Sequence, residues 1–247
     1  MEAAPRERRG YPAASLPAVG RAPRGAGLYC HHEPGDPREA GLDAQKKTLG
    51  ATERDEEKRS AFRERLRGVD SERLLFVDES STNVAMVPRY ARAPKGQRAY
   101  AKAPRNWGRN VTLISSITME GMGPSMSIEG SSDTESFGLY MKEVLGPRLR
   151  AGQIVLMDNL SVHKSGWVRD LVEQKGCQLW LLPSYSPDMN PIEEAFSKVK
   201  NLIRKAKART LEALFALTAR ALEALSEEDA HGFFEDCGYK TPQEHSL

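Results

Sequence analysis

Two short apolar runs, each followed directly by an aspartate, most constrain the fold of this chain. Residues 74–77 precede Asp78, and residues 154–157 precede Asp158. A strand that is apolar on both faces belongs in the interior of a sheet that is covered on both sides. Acids at the ends of such strands line the crevice where open sheets bind ligands. Taken alone, each aspartate is better explained as the first polar residue of a loop.

The remaining pattern predicts an α/β fold, a mixed sheet flanked by helices. Strands are predicted over residues 111–119 and 125–128, joined by a turn at residues 121–124, and over residues 177–182. Asp133 is a predicted N-cap and Gly176 a predicted C-cap. A group of strands followed by strand–helix alternation is typical of a mixed sheet. The predicted helices cover residues 134–145, 162–175, 191–208 and 211–225.

The chain divides into three predicted parts. Residues 1–45 are rich in Ala, Pro, Gly and Arg, a composition that predicts disorder. Residues 46–70 are predicted to form a linker helix, and residues 71–240 a folded domain that ends in helices. No apolar stretch reaches eighteen residues, so no membrane contact is expected, and no secretory signal is visible. Three scattered cysteines favour a reducing, cytoplasmic setting. The Cys30-His31-His32 cluster lacks a fourth ligand, so we expect no zinc there.

Basic residues cluster in two acid-free stretches, although the formal net charge is only +2. Residues 80–119 hold seven bases and residues 195–210 hold six. One such run would be explained equally well as solvated surface, but two of them flanking the acidic motifs indicate a polyanion partner, such as DNA. The predicted DNA contacts are Arg89, Arg92, Lys95, Arg98, Arg105, Lys198, Arg204 and Lys205.

A third acid, Glu193, follows Asp158 with 34 residues between them. It has a purely structural explanation: Asn190 is a good N-cap, Pro191 fits the first helical position, and Glu193 then completes a capping box. A carboxylate that opens a helix beside two strand-end aspartates is equally a metal ligand. Glu79 is a rival ligand, but alternation along a strand directs it to the face opposite Asp78.

Three carboxylates fit a site for hard cations better than any alternative. Oxygen ligands suit Mg²⁺ or Mn²⁺, and a pair of such ions cuts and rejoins phosphodiesters. The predicted catalytic and metal-binding residues are therefore Asp78, Asp158 and Glu193. Asn159 and His163 are predicted auxiliary residues, because His163 lies where it can touch the phosphate or position a water. A plain histidine at a helix N-terminus explains His163 equally well.

Three segments together resemble the catalytic core of bacterial transposases in the mariner superfamily, most closely the insertion sequence 630 branch. They are Phe-Val-Asp-Glu-Ser at residues 76–80, Met-Asp-Asn at 157–159, and Leu-Pro-Ser-Tyr-Ser-Pro-Asp-Met-Asn-Pro-Ile-Glu at 182–193. The stretch at 89–96 is also similar, and the resemblance covers about residues 46–239. It implies an RNase H-like five-stranded sheet with the first strand central and the fourth beside it in parallel.

The resemblance also implies an activity and partners, and the chain departs from the family pattern at its N-terminal end. It implies Mg²⁺-dependent DNA cleavage at element ends by water, then strand transfer by the freed 3′-hydroxyl, with Asp78, Asp158 and Glu193 as the triad. The expected partners are transposon-end and target DNA and a second copy of the chain, in the bacterial cytoplasm. Residues 1–45 lack the helix-turn-helix of such transposases, so we expect an N-terminally truncated core. The alternative is a non-catalytic DNA-binding or dimerising remnant, and a small-molecule phosphohydrolase fits the extended basic surface poorly.

Overall fold

A mixed five-stranded sheet forms the centre of the fold in this computed structural model. Its strands are β1 (Leu74–Asn83), β2 (Asn110–Thr118), β3 (Gly121–Glu129), β4 (Ile154–Met157) and β5 (Gln178–Leu181). Their order is β3-β2-β1-β4-β5, so β1 is central. It pairs antiparallel with β2 and parallel with β4, and β4 pairs parallel with β5. The predicted mixed sheet and the predicted parallel pair are therefore confirmed.

Helices cover both faces of the sheet. They are α1 (Glu56–Leu66), α2 (Thr134–Leu139), α3 (Gly166–Gln174), α4 (Pro191–Ala206), α5 (Leu211–Glu223) and α6 (Glu227–Asp236). Successive side chains of β1 point to opposite faces, so Phe76 and Val77 enter two different hydrophobic clusters. Phe76 packs with Phe196 of α4 and Phe234 of α6. Val77 packs with Phe137 of α2 and with α3.

The structure describes residues 51–88, 90–106, 108–159 and 165–239, all within a compact unit, Gly50–Leu247. The predicted disordered segment, the Cys30-His31-His32 cluster, Arg89 and His163 lie outside the described residues. Within the described ranges, no helix is both long enough and apolar enough to cross a membrane.

The first strand is longer than the sequence predicts, which changes the position of Asp78. The parallel pairing with β4 ends at Val77, but the antiparallel pairing with β2 continues from Phe76 to Asn83. Asp78 therefore lies in the middle of β1, opposite Ser115, and the expected position at a strand end is wrong. Pairing with β2 supplies hydrogen bonds for the polar residues after Val77, so no apolar run is needed there.

Two local expectations for the next elements are also corrected. The turn expected at residues 121–124 lies at residues 119–120, and β3 already begins at Gly121. Pro124 lies in the edge strand β3, at the irregularity in its pairing with β2, where a residue without an amide hydrogen is tolerated. The helix expected over residues 134–145 is α-helical only to Leu139 and continues as a π-helix, Tyr140–Leu145. Asp133 is its N-cap, as predicted.

The acidic C-terminal region contains α6, which the sequence interpretation missed. Ser226 and Asp229 form a capping box at its start. The helix buries Ala230 and Phe234 in the same cluster as Phe76. The signal was present, since a Ser-x-x-Asp spacing followed by apolar residues is typical of a helix start. The acids of residues 227–236 therefore belong to a helix that packs on the core.

Candidate functional site

The three predicted carboxylates line one cavity of about 380 Å³. Asp78 comes from the middle of β1, Asp158 directly follows β4, and Glu193 lies in the first turn of α4. The two aspartates are neighbours because β1 and β4 are parallel and Val77 is in register with Met157. Asn159, Asn190 and residues 182–187 complete the lining. We call this space the carboxylate cavity.

Asp78 is the most buried acid of the carboxylate cavity, with only 7% of its surface exposed. Burial raises its pKa from 3.8 to about 7; the Glu79 amide opposes this rise, while the carboxylates of Glu193 and Asp158 add to it. That amide donates to Oδ1 over 2.7 Å, and the Asn190 side chain donates to Oδ2 over 2.8 Å. Asp78 is thus held in one orientation among like charges. A cation that binds in the cavity would offset the free-energy cost of ionising this buried carboxyl group.

The Glu79 side chain is directed away from the carboxylate cavity, as alternation along the strand predicts. Ser132, which precedes α2, donates to the Glu79 carboxylate over 3.4 Å. Asp78 instead contacts Asn190, which precedes α4 on the other face of the sheet. Glu79 is therefore no rival to Asp78 as a cavity carboxylate.

Asn190 does not cap α4 with its side chain, so the capping-box explanation of Glu193 is wrong. The Asn190 side chain is buried and donates to Asp78, and its backbone amide donates to the Pro187 carbonyl. That backbone amide is the group to which a capping-box glutamate would bond. Glu193 is exposed and lines the carboxylate cavity.

The loop of residues 184–190 forms one wall of the carboxylate cavity. Asn159, a predicted auxiliary residue, donates from its side chain to the Ser184 hydroxyl over 2.9 Å. Tyr185 has a positive φ of 57° and is 58% exposed, so it projects from this wall into solvent. We call residues 184–190 the cavity loop. Sequence reasoning assigned it no role beyond carrying the motif.

The oxygen atoms that line the cavity are suitable ligands for a hard cation, although they are not already arranged around a metal position. Within the described ranges, no three His, Cys, Asp or Glu side chains are close enough together to hold a metal ion. The buried Oδ1 of Asn190, however, has no hydrogen-bond partner. A buried amide oxygen without a donor, next to a desolvated carboxylate, is the kind of ligand that Mg²⁺ or Mn²⁺ takes. Asp78, Asp158, Glu193 and Asn190 would supply these oxygens.

A second cavity, of about 520 Å³, begins at Glu193 and follows the basic side of α4. Arg204 and Lys205, both predicted DNA contacts, line it together with Lys200. We call it the basic groove; its remaining lining residues are Pro88, Tyr90, Ser197 and Asn201. Lys198, also a predicted contact, does not line the groove and instead pairs with Asp229 of α6. Ser197, Lys200 and Arg204 follow Glu193 by four, seven and eleven residues, so these side chains lie on the same face of α4.

Between residues 90 and 106 the basic side chains are exposed and do not line the basic groove, although Tyr90 does. Between residues 90 and 106 the described chain has no helix or strand. Tyr90 and Tyr100 are 89% and 86% exposed. The predicted DNA contacts Arg92, Lys95, Arg98 and Arg105 are all exposed along it. The structure therefore leaves these four bases accessible to a partner but does not gather them around the carboxylates.

The fold and the cavity define an RNase H-like domain with an acidic centre. Residues 73–215, more than half of the chain, match the DDE superfamily endonuclease family. The chain therefore belongs to that family. The Tcb1 transposable-element transposase of Caenorhabditis briggsae is 26% identical over 162 residues, which are 61% of this chain and 59% of that protein. This chain thus spans less than two thirds of the length of that relative.

Solved structures of the Mos1 transposase share the fold. A Mos1 strand transfer complex superposes with a TM-score of 0.62 at 18% identity, covering 81% of this chain and 64% of that one. A Mos1 mariner paired end complex with Mn gives a TM-score of 0.59 at 18% identity, covering 81% and 65%. The predicted RNase H-like fold is therefore confirmed, and the domain resembles the catalytic domains of Tc1/mariner transposases.

Proposed function

We propose that this chain is the catalytic core of a transposase that cleaves and transfers DNA strands in a metal-dependent reaction. Asp78, Asp158 and Glu193 would be its triad and would bind two Mg²⁺ or Mn²⁺ ions. The observation that carries the proposal is the convergence of these carboxylates, from β1, β4 and α4, on one cavity. We place the chain in the bacterial insertion sequence 630 branch, acting on DNA in the cytoplasm.

The chemistry requires a nucleophile and a leaving group to be stabilised together. Asp78, Asp158 and Glu193 would hold two divalent ions, which when bound would activate the attacking oxygen and neutralise charge on the leaving one. In the first step a water oxygen would attack a phosphodiester, leaving a 5′-phosphate and releasing a 3′-hydroxyl; in the second, that hydroxyl would attack a target phosphodiester, join to its 5′-phosphate and release the 3′-hydroxyl of the target strand. The desolvated Asp78 anchors the site, and Asn190 fixes the orientation of its carboxylate by donating to Oδ2. Asp158 and Glu193 complete the acidic lining.

The proposed metals, Mg²⁺ or Mn²⁺, follow from the atoms that would bind them. The four groups assigned as ligands, three carboxylates and the Asn190 amide, offer oxygen rather than nitrogen or sulfur. Such a donor set selects hard cations over zinc or copper. The Mos1 paired end complex that contains Mn supports the same choice for a similar fold.

The basic groove supplies a path for DNA that starts at the carboxylates. Lys200, Arg204 and Lys205 lie along α4 away from Glu193. Contacts of such side chains with phosphates give affinity that falls with salt and that is largely blind to sequence. The exposed bases of residues 90–106 would add contacts to a DNA end or to a second copy of the chain. The Mos1 paired end and strand transfer complexes support these partners by likeness of fold.

A nicking assay tests the proposal. Purified protein is incubated with supercoiled DNA in Mg²⁺ or Mn²⁺, and the nicked form is quantified. We expect nicking by the parent protein and none by Asp158→Asn, which keeps the side-chain size and removes one charge. The matched control is Asp170→Asn, an exposed acid on α3, which should nick at the parental rate. Equal nicking by Asp158→Asn and the parent would exclude the assigned triad.

The second candidate is a non-catalytic DNA-binding or dimerising remnant. It is favoured by the absence, among the described residues, of three acidic or other ligand side chains already arranged around a metal position. The two candidates differ in one measurement made on the same preparation. Tight DNA binding without any nicking in either metal would select the remnant, whereas metal-dependent nicking selects the transposase core.

A further inference from the structure

Residues from both ends of the described chain hold the cavity loop. Arg59 of α1 donates from Nη1 to the Ser186 hydroxyl over 2.6 Å and from Nη2 to the Asp188 carboxylate over 2.7 Å. The Tyr239 hydroxyl, which lies beyond α6, donates to the Met189 carbonyl over 2.6 Å. Neither Arg59 nor Tyr239 belongs to the residues 73–215 that match the family. The cavity loop is therefore held in place by hydrogen bonds from residues outside the family region, residues 73–215.

The Arg59 contact is buried, which makes it more than a surface ion pair. Arg59 is 2% exposed and Ser186 is 5% exposed. A guanidinium removed from water is costly unless its donors are satisfied, and its planar fork matches a carboxylate in only a few geometries. The neighbouring Phe62 lies in the hydrophobic cluster of Phe76, so α1 itself is anchored. Arg59 thus fixes the position of the loop relative to the core.

The fastened loop leads directly to the carboxylates. Asn190 follows the two residues that Arg59 and Tyr239 hold, Asp188 and Met189. It is 3% exposed and orients the Asp78 carboxylate. The next residues open α4, which carries Glu193. A shift of the loop therefore moves two of the groups that line the carboxylate cavity.

We propose that Arg59 is a positioning residue, which acts through the cavity loop to hold Asn190 against Asp78 and to place Glu193. Tyr239 supports the same loop from the other side. The catalytic consequence of this role rests on the proposed function, whereas the effect on the loop does not. The cavity is then complete only when α1 is docked, so the segment before the family region controls how well the site takes a cation.

The test substitutes Arg59→Met, which keeps the length of the aliphatic stem and leaves Asp188 half-exposed and still paired with Arg54. The matched control is Arg67→Met, because Arg67 is an exposed arginine at the end of the same helix, paired with Glu64. Three readouts are made on the full chain: amide hydrogen exchange of residues 184–190, Mn²⁺ binding followed by electron paramagnetic resonance, and the Mg²⁺ dependence of nicking.

We expect Arg59→Met to speed amide exchange in residues 184–190 roughly tenfold and to weaken Mn²⁺ binding by a similar factor, as loss of a charge-assisted hydrogen bond implies. The Mg²⁺ concentration for half-maximal nicking should rise in parallel. Arg59→Lys should recover part of each effect, and Arg67→Met should match the parent. Unchanged exchange and unchanged Mn²⁺ affinity in Arg59→Met would overturn the proposal, as would exchange that rises equally in β1 and β4.

Two further arms keep the outcome decisive. If Arg59→Met does not fold, Tyr239→Phe takes its place, because it removes one hydroxyl and should speed exchange in the same residues. No change there would also overturn the proposal. If the parent neither binds Mn²⁺ nor nicks DNA, the proposed function fails, but the exchange of residues 184–190 still decides whether Arg59 positions the loop.

Discussion

Replacing Asp78 with asparagine should stabilise the metal-free protein, even though we assign Asp78 to the site. The carboxylate is buried beside two other acids, and these surroundings raise its pKa from 3.8 to about 7. Asparagine has the same shape and no charge. Its amide nitrogen can donate to the Oδ1 of Asn190, which has no partner now, once the Asn190 amide rotates by half a turn. After that rotation the Asn190 Nδ2 takes the place of the partnerless oxygen, so one buried polar group stays unpaired, as in the parent, while the cost of a buried charge is removed.

The size of the effect follows from the pKa shift. Below pH 3.8 Asp78 is protonated in both the folded and the unfolded protein, so the raised pKa costs nothing there. Stability is lost as the pH rises from 3.8 through about 7, because the unfolded chain ionises first. Each pKa unit corresponds to about 1.4 kcal/mol, so the full loss is about 4 kcal/mol above neutral pH. Asp78→Asn escapes this loss.

Urea denaturation in EDTA measures the difference. The free energy of unfolding is determined for the parent and for Asp78→Asn at pH 5 and pH 7.5. The advantage of the variant should widen by about 2.5 kcal/mol between these two conditions. Asp170→Asn, on the exposed side of α3, should follow the parent at both. Adding Mg²⁺ should stabilise the parent and not Asp78→Asn, since only a ligand that binds the folded state raises its stability.

Parallel pH profiles for the parent and Asp78→Asn would refute this reasoning. They would mean that Asp78 is solvated or paired with a cation-like group in solution, so that burial beside Asp158 and Glu193 imposes no cost. A variant that is less stable than the parent at pH 7.5 would refute the hydrogen-bond part, because Asn190 then fails to rotate.

Three further substitutions test the hydrophobic core, the close contact between Gly123 of β3 and Ser116 of β2, and the basic groove. Phe76→Ala should cost about 3–5 kcal/mol in urea, because the buried ring packs edge-on against Phe234 at 5.4 Å. Gly123→Ala should lower the melting temperature, since its Cβ would lie 2.3 Å from the Ser116 hydroxyl, and Ser116→Ala in the same chain should restore most of it. Arg204→Ala should reduce the slope of log affinity for DNA against log salt by about 0.9, measured by fluorescence anisotropy.

The burial of the two central strands could be predicted from local pattern, because four apolar residues in a row favour burial on both faces. Their parallel pairing was implied only by the family resemblance, and the structure confirms it. Alternation alone placed Glu79 opposite Asp78, and the structure agrees. The cap at Asp133 was equally visible, since a capping side chain bonds within three residues of itself.

The remaining features depend on partners that are distant in sequence. β1 extends past Val77 because residues 110–115 pair with it, and no apolar signal marks that extension. The Asn190 side chain had a good local option as a cap, yet it donates to Asp78, 112 residues away. No local pattern marks Arg59 as buried, and its partners Ser186 and Asp188 lie 127 and 129 residues away in the sequence. Tertiary contacts override local preference at these positions.

The position of Asp78 also ranks the carboxylates as cation ligands. Asp78 cannot turn toward water, because its backbone is paired with Ser115 and its carboxylate accepts from Glu79 and Asn190. Glu193 is exposed at the start of α4, where solvent screens its charge. A cation gains most from the group that is most desolvated and already oriented. Asp78→Asn should therefore weaken Mn²⁺ binding more than Glu193→Gln, and the reverse order in an electron paramagnetic resonance titration would contradict this ranking.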